Sequence, residues 1–135
     1  SGRGGFLSLR LINSSHKILD DNFYWLPDST GSYSWLQQVL KARLAVTANK
    51  LNNKRIEVKI ENTGDGPVAF FNRISLIDSI TKKRILPVFY SDNYVSILPG
   101  EKKTVFIDYS EKDNIDNAEV SLRGWNADEP FIEIK

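Results

Sequence analysis

Apolar and polar residues alternate along most of this chain with a period of two. The clearest case is Ile56, Val58 and Ile60, interleaved with Arg55, Glu57, Lys59 and Glu61. Successive side chains of a strand point to opposite faces, so this stretch predicts a half-buried strand with its charges outward. A one-residue slip would bury Glu57 and Lys59, and that cost sets the register. Leu7, Leu9 and Leu11 alternate with Ser8 and Arg10, and Leu44 and Val46 with Arg43, Ala45 and Thr47. Residues 68–78, 84–90, 94–98, 103–109, 118–125 and 131–134 read as further strands. Asn13-Ser14-Ser15-His16, between the β-rich runs 6–12 and 17–26, predicts a hairpin turn, and Asn52-Asn53 predicts another. Pro99-Gly100 is the expected central pair of a type II turn, because Pro presets a negative φ and Gly accepts the positive φ that follows. Residues 27–34 have the composition of a linker. Residues 34–40 allow a short helix with Ser32 or Ser34 as N-cap, its Trp35, Val39 and Leu40 placed to cover one end of a core. Many short strands with turns between them argue for an all-β, antiparallel β-sandwich preceded by an N-terminal β-hairpin.

Composition narrows the function classes. The 135 residues are one domain's worth, too few for most enzymes with an added binding domain. A hydrophobic fraction of 41% with 26% charged residues is that of a globular fold, not a disordered segment. The net charge of +1 gives no electrostatic footprint for nucleic acid or an anionic membrane. No apolar run approaches the ~20 residues of a spanning helix. The absence of cysteine removes disulfides and thiolate metal sites. The chain starts at Ser1 and contains no methionine, so a cut-out piece or processed product is expected. Residues 1–5 read as a linker or cloning scar, and a signal peptide of any parent would lie outside the sequence.

Catalytic constellations are thin. His16 is the one histidine and falls in the first hairpin turn, where an exposed turn residue is expected. Gly64-Asp65-Gly66 lacks the lysine and helix of a phosphate loop and reads as a turn. Paired carboxylates drive glycoside hydrolysis, and Glu57 with Glu61 or Asp108 with Glu111 are formal candidates. On an alternating strand the first pair belongs to the solvated face. Asp113, Asp116 and Asp128 lie in polar loops without the spacing of a calcium loop. No catalytic residue, metal or cofactor is assigned. Asn13-Ser14-Ser15 is formally a glycosylation sequon. Aromatics are the better lead, because sugar rings stack on exposed Trp and Tyr. The candidate carbohydrate contacts are Tyr90, Asp92, Asn93, Tyr94 and Trp125. Alternation puts Trp125 on the side of Ser121 and Arg123, opposite Val120 and Leu122, hence outward unless a bulge at Gly124 turns it. For each the ordinary alternative is structural: packing for the rings, loop shaping for Asp92-Asn93.

Asn22-Phe23-Tyr24-Trp25-Leu26, Ile60-Glu61-Asn62-Thr63-Gly64 with Val68-Ala69-Phe70-Phe71-Asn72-Arg73, the stretch 87–101, and Gly124-Trp125-Asn126 occur in that order. Together they resemble the C-terminal immunoglobulin-like domain of glycoside hydrolase family 2, in its β-mannosidase and exo-β-glucosaminidase branch. The resemblance spans residues 6–126. It implies an immunoglobulin-like sandwich over residues 31–135, with residues 1–30 as linker and hairpin from the end of a preceding sandwich. It implies a non-catalytic accessory domain of a retaining exo-glycosidase active in carbohydrate degradation, with both catalytic glutamates in a (β/α)8 barrel outside this sequence. The implied partners are that barrel, the neighbouring sandwich and a glycan. A periplasmic or secreted location follows from the same resemblance. An independent carbohydrate-binding module and a generic immunoglobulin-like interaction domain are the alternatives.

Overall fold

The computed structural model describes residues 2–135. The chain forms two compact units, one ending at Val39 and the other running from Leu40 to Lys135.

In the first unit β1 (Gly5–Ile12) and β2 (Ile18–Leu26) form the expected antiparallel hairpin, with Phe6 opposite Trp25 and Leu9 opposite Asn22. Asn13 ties the turn: its Oδ1 accepts from Ser15 N at 3.0 Å and Lys17 N at 2.9 Å. His16, at φ 60°, is an exposed turn residue. The expected helix is only a 3-10 turn, Ser34–Gln38, whose N-cap position is Tyr33 with no side-chain cap. Val39 is already extended, at φ −65° and ψ 123°, so the helical spacing does not reach Leu40, which is 75% exposed. Trp35 packs on the hairpin. It sits edge-on to Phe6, with centroids 5.1 Å apart, and donates from Nε1 to Leu26 O at 3.2 Å. Its indole occupies the space a Cβ on Gly4 would need. Ser29 N also donates to Gly2 O at 3.2 Å, so residues expected to be free linker are engaged.

The second unit is a sandwich of two four-stranded antiparallel sheets. One has the order β3 (Leu44–Asn52), β4 (Arg55–Asn62), β8 (Lys102–Asp108), β6 (Phe89–Tyr90). The other has the order β10 (Asp128–Glu133), β9 (Ala118–Arg123), β5 (Ala69–Asp78), β7 (Val95–Ile97). Ile56, Val58 and Ile60 point inward as their alternation predicts. They meet Ile74, Leu76, Val105, Ile107, Val120 and Leu122 in one core, all 0–1% exposed. Each such side chain contributes ~1.5–3 kcal/mol by leaving water. The Pro99-Gly100 turn forms as expected, with Gly100 at φ 75° and Glu101 N donating to Leu98 O at 3.0 Å.

The expected strand over 84–90 shrinks to Phe89–Tyr90 and one bridge between Arg84 and Ile77. Pro87 has no N–H to give a ladder, and the edge of β5 is completed another way. β7 pairs with β5 only at Ala69 and Asn72. Beyond them, the Asn93 carboxamide takes a strand's place: Ile74 N donates to its Oδ1 at 2.7 Å, and its Nδ2 donates to Ile74 O at 3.0 Å. Leu76 N donates to the Tyr90 hydroxyl at 2.9 Å, and Ile85 N donates to Leu76 O at 2.9 Å.

Three buried asparagines act alike through their Nδ2 groups. Asn62 Nδ2 donates to Pro67 O and Ile97 O, and Asn72 Nδ2 to Ala69 O and Val95 O. Asn126 Nδ2 donates to Leu40 O and Val68 O, both at 2.8 Å, while its Oδ1 accepts from Phe70 N at 2.9 Å. Buried backbone groups must be paired, and a carboxamide carries both a donor and an acceptor. Gly124 is required beside them, since a Cβ there would collide with Asn72 Oδ1.

Asn126→Ala strands three backbone groups, and the expected loss of unfolding free energy is at least ~3 kcal/mol by urea denaturation; a loss below ~1 kcal/mol would contradict this role. Burial raises the phenol pKa of Tyr90 and of Tyr109 above the ordinary value. A raised folded pKa gives stability that is complete below the unfolded value, ~10, and is lost as pH rises through the folded one. Stability should therefore fall above pH ~10. Tyr90→Phe should soften that fall while lowering stability at neutral pH, because Leu76 N loses its acceptor. An unchanged alkaline limb would exclude Tyr90 as its source.

Candidate functional site

The register of β5 breaks between Ala69 and Asn72, and the break turns aromatic side chains outward. Phe71 has φ 56° and Tyr94, just before β7, has φ 55°. This left-handed backbone costs a bulky residue ~1–2 kcal/mol. The two strained residues face each other, with ring centroids 5.0 Å apart and planes at 39°. Phe70, 4% exposed, is the anchor behind them: its centroid lies 5.7 Å from Phe71 and 6.4 Å from Trp125. Phe71, Tyr94 and Trp125 are 42%, 50% and 54% exposed, so three rings fan outward from one buried ring.

Hydrogen bonds hold the arrangement at its backbone. Trp125 N donates to Phe70 O at 2.9 Å, Phe71 N to Ser96 Oγ at 3.1 Å and Tyr94 N to Asn93 Oδ1 at 2.9 Å. The rings meet at 39°, 41° and 60°, not in one plane. A sugar face stacks best on a flat ring surface. These tilted rings form a stepped apolar shelf, a shape suited to interdigitating with other side chains.

Of the residues singled out from sequence, Tyr94 and Trp125 lie on the shelf. Tyr90 is half-buried, with its hydroxyl committed to Leu76 N. Asn93 is committed to Ile74 through both ends of its carboxamide. Asp92 is exposed and accepts from Asn93 N at 2.8 Å, shaping the approach to β7. Phe70 and Phe71 were not among the candidates. Their signal is adjacency, because two consecutive bulky residues in a strand cannot both face the core.

The carboxylate candidates are engaged elsewhere. Asp108 and Glu111 do not act on each other. Arg55 forks onto Asp108, with Nε to Oδ1 at 2.6 Å and the outer nitrogen to Oδ2 at 2.8 Å, while Lys54 Nζ lies 3.2 Å from Glu111. The hydrogen bonds from Arg55 hold the Asp108 carboxyl below the usual carboxylate range. A depression of about 620 Å³ around these residues is therefore lined by charges that neutralise one another. Glu57 pairs with Lys59 at 3.0 Å, and Glu61 with Lys102 at 3.5 Å. Among the described residues, Asp113, Asp116 and Asp128 do not gather into a group of three metal-binding side chains.

Comparison with known proteins gives the shelf its context. Residues 22–127 match the family described as the exo-β-D-glucosaminidase Ig-fold domain. The exo-β-D-glucosaminidase of Streptomyces avermitilis is 32% identical over 148 residues, and that of Arthroderma benhamiae 27% identical over 145 residues. These alignments cover 92% and 94% of this chain but 16% of either relative. A mannosylglycoprotein endo-β-mannosidase of Lilium longiflorum is 42% identical over 83 residues, 57% of this chain and 8% of that protein. The crystal structure of the exo-chitosanase CsxA from Amycolatopsis orientalis superposes with a TM-score of 0.78 at 27% identity, over 93% of this chain and 18% of that one. A domain covering so small a share of these glycosidases is an accessory part of them, joined to other domains in one chain. With about four-fifths of its length inside the match, this chain belongs to the exo-β-D-glucosaminidase Ig-fold domain family.

Proposed function

We propose that this chain is a non-catalytic accessory domain at the C-terminal end of a retaining glycosidase acting on β-linked glucosamine or mannose. The shelf of Phe71, Tyr94 and Trp125 is the surface on which it meets the rest of that enzyme. What carries the reading is the strained pair. Two left-handed aromatic residues cost the isolated domain ~1–2 kcal/mol each, while their mutual ring contact returns ~0.5–1.5 kcal/mol. Burying about half of each ring returns roughly 1 kcal/mol more apiece, which leaves the pair near neutral for the stability of this unit. The aromatics at these positions therefore serve something other than the stability of this unit, and strain retained in this way is a mark of a functional surface. The family match supports the enzyme class, and the tilt of the rings favours a protein partner over a sugar face. A periplasmic or secreted setting belongs to the same reading.

The test is Tyr94→Asn, because Asn tolerates the left-handed region. In this chain alone, the unfolding free energy should stay within ~1 kcal/mol of the parent. In a longer protein carrying this chain beside the catalytic domain, the same substitution should lower the thermal midpoint. A different result would defeat the reading: saturable tryptophan fluorescence changes on titrating this chain with glucosamine oligomers, abolished by Tyr94→Asn, with the longer protein unaffected.

A further inference from the structure

The outer face of β5 and β9 concentrates positive charge that the net charge of +1 conceals. Arg73 lies directly opposite Arg123 in the ladder, and Ser75 directly opposite Ser121. Like charges in that relation destabilise a sheet. Arg84 and Lys82 add two more cations to the same cleft of about 260 Å³, which is closed by Pro130 and Phe131 and has no carboxylate in its lining.

The cations are largely unneutralised by the protein. Lys82 is shared, with Nζ 3.6 Å from Glu119 Oε2 and 4.3 Å from the Phe131 ring centroid. Among the described residues, Arg73, Arg84 and Arg123 form no ion pair; Asp128 lies across the β9–β10 ladder from Arg123 without reaching it. The floor is polar as well. Ser75 and Ser121, each only 6% exposed, both line the cleft.

We propose that this cleft binds an oxyanion: a phosphate, sulfate or carboxylate group, free or carried on a single sugar unit. Arg73 and Arg123 present the guanidinium forks that match such a group, and Ser75 and Ser121 donate from the floor. Arg84 and Lys82 supply the remaining charge. The volume falls just below the ~300–1,000 Å³ of ordinary small-molecule sites, so it suits one charged unit and not an oligosaccharide. Four cations repel a protonated amino sugar, which makes this site distinct from any recognition of glucosamine. The inference does not depend on the aromatic shelf.

The experiment is an NMR titration of this chain with sodium sulfate and sodium phosphate, at ionic strength held constant with sodium chloride. The expected result is saturable shifts confined to residues 73–75, 84 and 121–123. Arg123→Gln should weaken binding at least ten-fold, and Lys102→Gln, on β8 of the other sheet, should leave it unchanged. In anion-free buffer Arg123→Gln should unfold at the same or a higher temperature than the parent, since it relieves the Arg–Arg opposition. Comparing glucuronate with acetate separates the sources: ten-fold tighter binding of the sugar acid assigns the group to a sugar, and equal binding assigns a free oxyanion. Shifts that are linear in sulfate, that are spread over the surface cations, or that survive Arg123→Gln unchanged would overturn the site.

Discussion

Every buried peptide group of β5 needs a partner, and the strand that could supply one ends its pairing at Asn72. Everything characteristic of the sandwich follows from how that shortage is met. Asn93 stands in for a strand at Ile74, and the Tyr90 hydroxyl does so at Leu76. At the other end of β5, Asn72 spans the break in register, and Asn126 joins Phe70 to the chain at Leu40 and Val68. A carboxamide does this at the cost of ordering one short side chain, where a full strand would need several residues and would flatten the edge. Closing the edge with side chains keeps it from offering an open ladder to other chains.

The same solution produces the aromatic shelf. Because Asn72, Asn93 and Asn126 hold the backbone on either side, Phe71 and Tyr94 are kept in a left-handed conformation that neither would choose. Their rings are thereby aimed off the sheet, next to Trp125 and over the buried Phe70. The cleft on the outer face of β5 and β9 has opposite chemistry, with four cations and two serine hydroxyls instead of rings. One strand thus serves two surfaces: Phe71 belongs to the shelf, Arg73 and Ser75 to the cleft.

Much of the sandwich was legible from alternation alone. Ile56, Val58 and Ile60 announce β4, and the outward charges between them fix its register against β3 and β8. Pro99-Gly100 announces its turn because only specific φ values suit that pair. The family was legible too, in segments that contain Asn62, Asn72, Asn93 and Asn126, yet their physical reason was not. A lone polar residue among apolar ones reads as a loop former until its backbone partners are known, and those lie 19 to 86 positions away for Asn93 with Ile74 and Asn126 with Leu40. The stretch 84–90 misleads for another reason: its composition suits a strand, but it serves β5 only through the Ile85 N–H and the Tyr90 hydroxyl at Leu76, while Phe89–Tyr90 pairs with β8 of the other sheet. Trp35 misleads because its helix stops at Gln38. The shelf was half legible, in Tyr94 and Trp125, while Phe71 needed the bulge to explain it.

The most direct measurement of the central claim is hydroxyl-radical footprinting of Phe71, Tyr94 and Trp125, in this chain alone and in a protein that also carries the catalytic domain. The account predicts that all three oxidise readily in the isolated chain, and that they are protected several-fold in the longer protein whether or not a glycan is present. Equal oxidation in both, or protection that appears only when glucosamine oligomers are added, would contradict it.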